Sequence, residues 1–214
     1  VDDNRLVVLG YSYNNIYQDF PEYEVSNYPY YGSVTKVYIF DITDKSNIQL
    51  MRQLSFEGSY TTSRKVDDMV YLVVSKTYSD YYFPEDVVYD GGGIVPLYGD
   101  SQTDLVEPIT GCGDVRYVPG VESTSYLTIA GIPIDDASGD IVEEVVLGAS
   151  GTVYASKENL YIAESSSYWG GWWWDEEQKD EETVIHKFAL SREDIAYQGQ
   201  SSVPGTILDQ FSMD

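Results

Sequence analysis

Apolar and polar residues alternate over short stretches of this chain, and polar turns separate these stretches. A helical spacing of i, i+3, i+4, i+7 is not sustained anywhere, so the pattern predicts β-strands. Residues 6–9 and 70–74 are continuous apolar runs, as expected for strands covered on both faces. Residues 141–145 and 195–200 include polar or charged side chains, as expected at the outer edge of a sheet. The pattern therefore predicts an all-β chain.

The strand pattern repeats along the chain. A displacement of 90 residues places Gly58 on Gly148, Thr62 on Thr152, Tyr71 on Tyr161 and Val73 on Ala163. A displacement of 57 residues places Gly205 on Gly148 and Phe211 on Tyr154. Residues 36–42 (KVYIFDI) correspond to residues 184–190 (VIHKFAL), with Phe40 on Phe188. Such self-similarity indicates a repeat architecture.

Each repeat has the order strand, short turn, strand, long loop, strand, short turn, strand. The first unit lacks its opening strand and uses residues 6–11, 36–42 and 49–56. The second unit uses residues 62–66, 70–75, 125–134 and 141–147. The third uses residues 152–156, 160–164, 184–190 and 195–202. The predicted unit boundaries are 1–58, 59–148 and 149–205, and residues 206–214 are the predicted opening strand of a further unit.

Four-stranded antiparallel units whose inner strands are apolar and whose outer strands are polar are typical of the blades of a β-propeller. A β-sandwich, the alternative, has two inner faces of alternating strands rather than a gradient repeated in each unit. Because propellers typically have four to eight blades, about three blades predict a partial ring. Its completion requires remaining blades or a second copy of the chain, and two copies exchanging residues 207–212 would form six blades.

Four segments carry a family resemblance. The most specific are residues 183–190 (TVIHKFAL) and 203–214 (VPGTILDQFSMD), supported by residues 37–44 (VYIFDITD) and 58–64 (GSYTTSR). In these segments the chain resembles a secreted archaeal and bacterial β-propeller domain distantly related to WD-repeat proteins. The resemblance implies an extracellular or cell-surface location and a propeller of more blades. The biochemical role of that family is largely uncharacterised.

Three long insertions, residues 12–34, 77–124 and 166–182, join second strands to third strands and are expected on one face. They have net charges of −3, −8 and −5, and they contain 13 of the 21 tyrosines and all four tryptophans. The whole chain has a net charge of −24. This balance disfavours nucleic acid and anionic membranes, because both are bound through Lys and Arg. No apolar run is long enough to span a membrane.

Exposed aromatic rings in loops are typical of binding sites, although the same rings could instead pack against other loops. Rings beside carboxylates suit a glycan or a cation. The candidate ligand-binding residues are Tyr168, Trp169, Trp172, Trp173 and Trp174, with Tyr30, Tyr31, Tyr81 and Tyr82 extending the surface.

The sequence contains few residues that could form a catalytic or metal site. Cys112 is the only cysteine and His186 the only histidine, so multi-cysteine and multi-histidine metal sites are excluded. His186 is expected to be a packed strand residue, and paired carboxylates are the available acid–base chemistry. Calcium is a candidate ion, held by acids within residues 175–182 or 135–140, and no other cofactor is expected.

The sequence therefore predicts a non-catalytic extracellular binding propeller whose acidic, aromatic loop face contacts a glycan, a cell-envelope component or a cationic partner. The alternatives are a polysaccharide-active enzyme with loop carboxylates as acid and base, and a calcium-stabilised structural envelope protein.

Overall fold

A computed structural model of the chain describes residues 4–19, 32–77, 95–117, 125–148, 151–165, 182–209 and 212. Strands dominate these residues, and a short 3-10 helix covers Ile16–Asp19. The strands are β1 (Arg5–Asn14), β2 (Gly32–Asp41), β3 (Gln49–Glu57), β4 (Ser59–Val66), β5 (Met69–Thr77), β6 (Leu97–Asp100), β7 (Leu105–Pro108), β8 (Arg116–Tyr117), β9 (Ser125–Pro133), β10 (Val142–Leu147), β11 (Thr152–Ala155), β12 (Asn159–Ser165), β13 (Glu182–Leu190) and β14 (Ile195–Pro204).

The strands form three sheets. The first has the order β1-β2-β3-β6-β7, the second β4-β5-β9-β10-β8 and the third β11-β12-β13-β14. The strand pairs are antiparallel except for β8 and β10, which pair in parallel. The predicted all-β fold, a partial propeller of about three blades, is confirmed. The third sheet has the predicted four antiparallel strands, whereas β6 and β7 enlarge the first sheet and β8 enlarges the second. The predicted opening strand at 206–214 stays a prediction: residues 206–209 have no regular secondary structure, and most of the remainder lies outside the described residues.

The second insertion does not stand entirely on the loop face, and the expectation is wrong for residues 95–117. Strand β6 pairs with the outer edge of β3, and β7 continues the same sheet. Strand β8 pairs with β10 in the second sheet. The physical reason is that the outer edges of β3 and β10 present unpaired N–H and C=O groups, which these added strands satisfy.

Two apolar cores lie between the three sheets. One joins the first and second sheets and includes Ile39, Phe56 and Leu72. The other joins the second and third sheets and includes Tyr71 and Phe188. Because side chains alternate along a strand, β5 faces the first sheet with its even-numbered residues and the third sheet with its odd-numbered ones. Its continuous apolar run is therefore explained by burial on both faces.

Candidate functional site

The long connections all begin and end at neighbouring positions on their sheets. In the first sheet Asn14 is opposite Gly32, and in the second Thr77 is opposite Ser125. In the third sheet Ser165 is opposite Thr183. We call these three pairs of strand ends the loop rim.

The short turns of neighbouring sheets lie together on the opposite side. Arg192, in the turn between β13 and β14, hydrogen-bonds Asp135 at 3.0 Å and also contacts Asp68, both in turns of the second sheet. Arg52 Nη1 donates to the Gly139 carbonyl at 2.7 Å, which joins the first sheet to a turn of the second. Because the turns share one side, the three long connections leave from the other.

The nine predicted ligand-binding residues lie outside the described residues. Chain connectivity alone attaches their segments to the loop rim: Tyr30 and Tyr31 precede β2, Tyr81 and Tyr82 follow β5, and residues 168–174 follow β12. Their prediction as ligand contacts therefore stays a prediction.

Other aromatic side chains, which the sequence did not single out, are exposed near the loop rim. Tyr11 and Tyr13, near the end of β1, are 84% and 73% exposed. Tyr60, the second residue of β4, is 48% exposed. The signal that could have found the first two is their alternation with polar residues beyond the apolar run of β1. They add exposed aromatic rings on β1 and β4 to the aromatic residues of the insertions.

A layer of buried polar contacts supports the loop rim. Asp19 accepts hydrogen bonds from Lys36 Nζ at 2.5 Å and from Ser55 Oγ at 3.0 Å. Glu57 is buried and pairs with Lys76 Nζ at 2.7 Å, and its carboxylate also accepts from the Leu97 amide at 3.0 Å. Buried charges are tolerated when they are paired and hydrogen-bonded in this way. The layer fixes the strand ends from which the insertions leave.

The carboxylates of this layer have a structural role. Asp19 and Glu57 each pair with a lysine, so both carboxylates are engaged in holding the strand ends together. Burial raises the pKa of Glu143, but this residue lies on β10 and is not part of the layer. Among the described residues, no group of three or more His, Cys, Asp or Glu side chains is arranged to hold a metal ion. The candidate calcium segment at 135–140 is a turn in which Asp136 accepts from the Ser138 amide and hydroxyl.

His186 is a core residue, as its strand position predicts. It is 1% exposed, and its Nδ1 lies 3.3 Å from the Tyr197 hydroxyl. Burial lowers the pKa of the imidazole, which favours the neutral form. Its ring packs at the junction of the second and third sheets, beneath the surface rather than in an open cleft.

In a comparison with protein families, a family model described as "Beta propeller domain" matches residues 1–214. No curated protein and no solved structure matches the chain. Within the described residues, no helix is long and apolar enough to cross a membrane.

Proposed function

The chain belongs to the β-propeller domain family, and from this premise we propose that it is a non-catalytic binding module acting outside the cell or on its surface. Its ligand is a glycan, either free or part of the cell envelope. The binding surface consists of the insertions on the loop rim. The acidic and aromatic composition of those insertions also suits a cationic partner, which is the main alternative to a glycan as the ligand.

One observation carries this proposal: the long, tyrosine- and tryptophan-rich connections attach to a single rim, while short turns occupy the opposite side. A rigid β-scaffold that presents variable loops from one side is a common arrangement for binding sites. The ion pairs of Asp19 with Lys36 and of Glu57 with Lys76 hold that rim in place. The strand ends from which the insertions leave are thus supported by buried, paired charges.

The chemistry of the insertions suits sugars. Residues 168–174 supply a tyrosine and all four tryptophans, and six acidic residues follow within 175–182. Flat aromatic rings pack on the apolar face of a pyranose, because large rings provide apolar contact area at low entropic cost. Carboxylate oxygens accept hydrogen bonds from sugar hydroxyls. The same rings and carboxylates attract a cation, so the experiment must distinguish glycan binding from cation binding.

A glycan-binding screen with the full chain, with and without calcium, tests the proposal. We expect binding without release of product, weakened about tenfold or more in Trp172→Ala/Trp173→Ala, because stacked aromatic anchors dominate binding energy. Ile48→Ala is the control: Ile48 is 52% exposed in the turn between β2 and β3, on the side opposite the loop rim, and its loss should leave binding unchanged.

Three results would contradict the proposal. Release of shortened saccharides would identify a polysaccharide-active enzyme. A melting temperature that rises sharply with calcium, without glycan binding, would identify a calcium-stabilised structural protein. Binding to polylysine alone, abolished at high salt, would identify a cationic partner, since exposed charge pairs are screened.

A further inference from the structure

Four side chains form one row on β1. Val7, Leu9, Tyr11 and Tyr13 are alternate residues of this strand and therefore lie on the same face of the first sheet. Val7 and Leu9 pack against the core between the first and second sheets. Tyr11 and Tyr13 continue the row past that core to the loop rim, where they are 84% and 73% exposed. Two neighbouring aromatic rings therefore face solvent where the first insertion leaves the sheet.

The register of the second sheet shows which residue corresponds to Tyr13. Tyr13 is opposite Ser33 in the β1–β2 pair, and Thr77 is opposite Ser125 in the equivalent β5–β9 pair. The carbonyls of Ser33 and Ser125 accept hydrogen bonds, at 2.7 and 2.9 Å, from the glycine that follows the last strand of each unit. Tyr13 therefore corresponds to Thr77.

The exposure of this position is a property of the blade. Two residues before Thr77, Ser75 corresponds to Tyr11, so the second sheet has small polar residues where the first has two rings. The inner strand β4 begins at Ser59, opposite Ser75, and Thr77 extends beyond it and is exposed. The position of Tyr13 is thus exposed in a sheet that contains its inner strand, and pairing within the sheet does not require an aromatic residue there.

Contacts on the other face of β1 hold the backbone beside the two rings. Ser12 Oγ donates to Asn14 Oδ1 at 2.6 Å, and Asn14 Nδ2 donates to Asp19 Oδ1 at 3.3 Å. Asp19 in turn pairs with Lys36 on β2 and accepts from Ser55 on β3. The rings therefore project from a strand end that is fixed to its neighbours. Tyrosine rings on a rigid support bind with a small loss of conformational entropy.

The charges around these rings indicate an uncharged ligand. The net charge of −24 disfavours an anionic saccharide such as a uronic acid. Within the described polar layer, the carboxylates of Asp19 and Glu57 are each neutralised by a lysine, so they do not favour a cation over a neutral molecule. A tyrosine presents a flat apolar ring and a hydroxyl that both donates and accepts. This combination suits a neutral saccharide.

We propose that Tyr11 and Tyr13 form a saccharide subsite on β1, in addition to residues 168–174, and that the subsite binds uncharged pyranose units. The inference deepens the proposed function and rests on it. Alternate residues of a strand are about 6.6 Å apart, so one saccharide chain contacts both rings. The rings supply the stacking surface, and their hydroxyls hydrogen-bond the sugar.

Calorimetric titration of the 214-residue chain with the neutral oligosaccharides that bind in the glycan screen gives the first test. Tyr11→Ser/Tyr13→Thr introduces the residues that the second sheet has at these positions, and its melting temperature and circular dichroism verify that it folds. We expect this variant to lose about tenfold in affinity, because stacked aromatic anchors dominate binding energy. Tyr11→Phe/Tyr13→Phe keeps the rings and should lose only about threefold. Ile48→Ala, on the opposite side, should bind unchanged.

Nitration of tyrosine by tetranitromethane, mapped by peptide mass spectrometry, gives a second readout that does not depend on a variant. A saturating neutral oligosaccharide should slow the nitration of Tyr11 and Tyr13 severalfold, because the sugar covers both exposed rings. A saccharide that does not bind in the screen is the control and should leave their nitration unchanged. The uronic acid analogue of the bound saccharide should bind more weakly than the neutral one.

Different results would overturn the subsite and the proposed function. Unchanged affinity in Tyr11→Ser/Tyr13→Thr, or nitration that the saccharide does not slow, would overturn the subsite alone, since glycan binding by the unmodified chain would persist. An equal loss in the phenylalanine variant would overturn the stacking role of the rings. Tighter binding of the uronic acid, or displacement of the saccharide by tetramethylammonium, would overturn the assignment of an uncharged ligand. Absence of saccharide binding by the unmodified chain would overturn the subsite and the proposed function together.

Discussion

Arg52 offers the sharpest test of how β6 is held on the first sheet by a buried ion pair. Its side chain is 4% exposed, and its Nη2 lies 2.5 Å from Asp100 Oδ2 on β6. The Asp100 carboxylate also accepts from the Tyr98 hydroxyl at 2.8 Å and from the Gln102 amide at 2.9 Å. Burial alone would raise the pKa of Asp100, but the hydrogen bonds, led by Arg52, outweigh it and hold that pKa below its usual value.

Arg52→Met leaves the Asp100 carboxylate buried without its cation. Breaking a buried ion pair in this way costs about 3–5 kcal/mol of unfolding free energy. The Gly139 carbonyl also loses its donor. In Arg52→Met/Asp100→Leu no charge remains, and the cost falls to about 1–3 kcal/mol, mainly because the Tyr98 hydroxyl loses its acceptor. The double variant should therefore be more stable than Arg52→Met alone.

Urea denaturation at neutral pH, followed by tryptophan fluorescence and circular dichroism, measures these differences. Arg192→Met is the matched control, because Arg192 pairs with Asp68 and Asp135 on the exposed turn side. Its midpoint should hardly change, since exposed pairs contribute little. A constant m-value across the variants would show that the same surface is exposed on unfolding.

The sign of the pH dependence gives a second readout of the same pair. Because the pKa of Asp100 is lower in the folded chain than in the unfolded one, its contribution is present above about pH 4 and is lost as pH falls through the folded pKa. The double variant should lack this contribution. A loss below about 1 kcal/mol in Arg52→Met, or a double variant less stable than Arg52→Met, would refute the reasoning.

Two further predictions concern the junction of the third sheet with the second and the start of β11. Because burial lowers the pKa of His186, the folded state disfavours its protonation and loses stability as pH falls below about 6.5. Between about pH 7.5 and 5, the melting temperature of His186→Phe should therefore fall less than that of the unmodified chain. An equal fall in the two proteins would contradict this assignment. A Cβ at Gly151 would overlap the backbone carbonyl of Ala163, so Gly151→Ala should cost about 1–3 kcal/mol in urea denaturation. Gly113→Ala, with nothing within 4 Å, is the control that should not change, and equal midpoints for the two alanine variants would contradict the proposed overlap.

Much of the fold could be predicted from the sequence because it is local. The apolar run in β5, the polar turn after β4 and the recurring glycines define strands and hairpins within short windows. Successive strands in a unit are neighbours in the sheet, so the predicted order of each quartet agrees with the observed pairing. The packed position of His186 also follows from its place on a strand between apolar residues.

The candidate site could be predicted only in part. The repeat assigned the insertions to second-to-third connections, and this determines the rim from which they leave. The exposed rings of Tyr11 and Tyr13 were not singled out, although both alternate with polar residues beyond the apolar run of β1.

The sequence by itself determined strand positions, the repeat and the side on which the long connections begin, because hydrophobic periodicity and turn residues act over a few neighbours. Tertiary structure alone decided that β6 and β8 extend the outer edges, that Arg52 pairs with Asp100 across 48 residues, and that Glu57 pairs with Lys76. The physical reason is that an exposed strand edge or a buried charge accepts any partner with suitable geometry. Which partner reaches it depends on the packing of the whole chain.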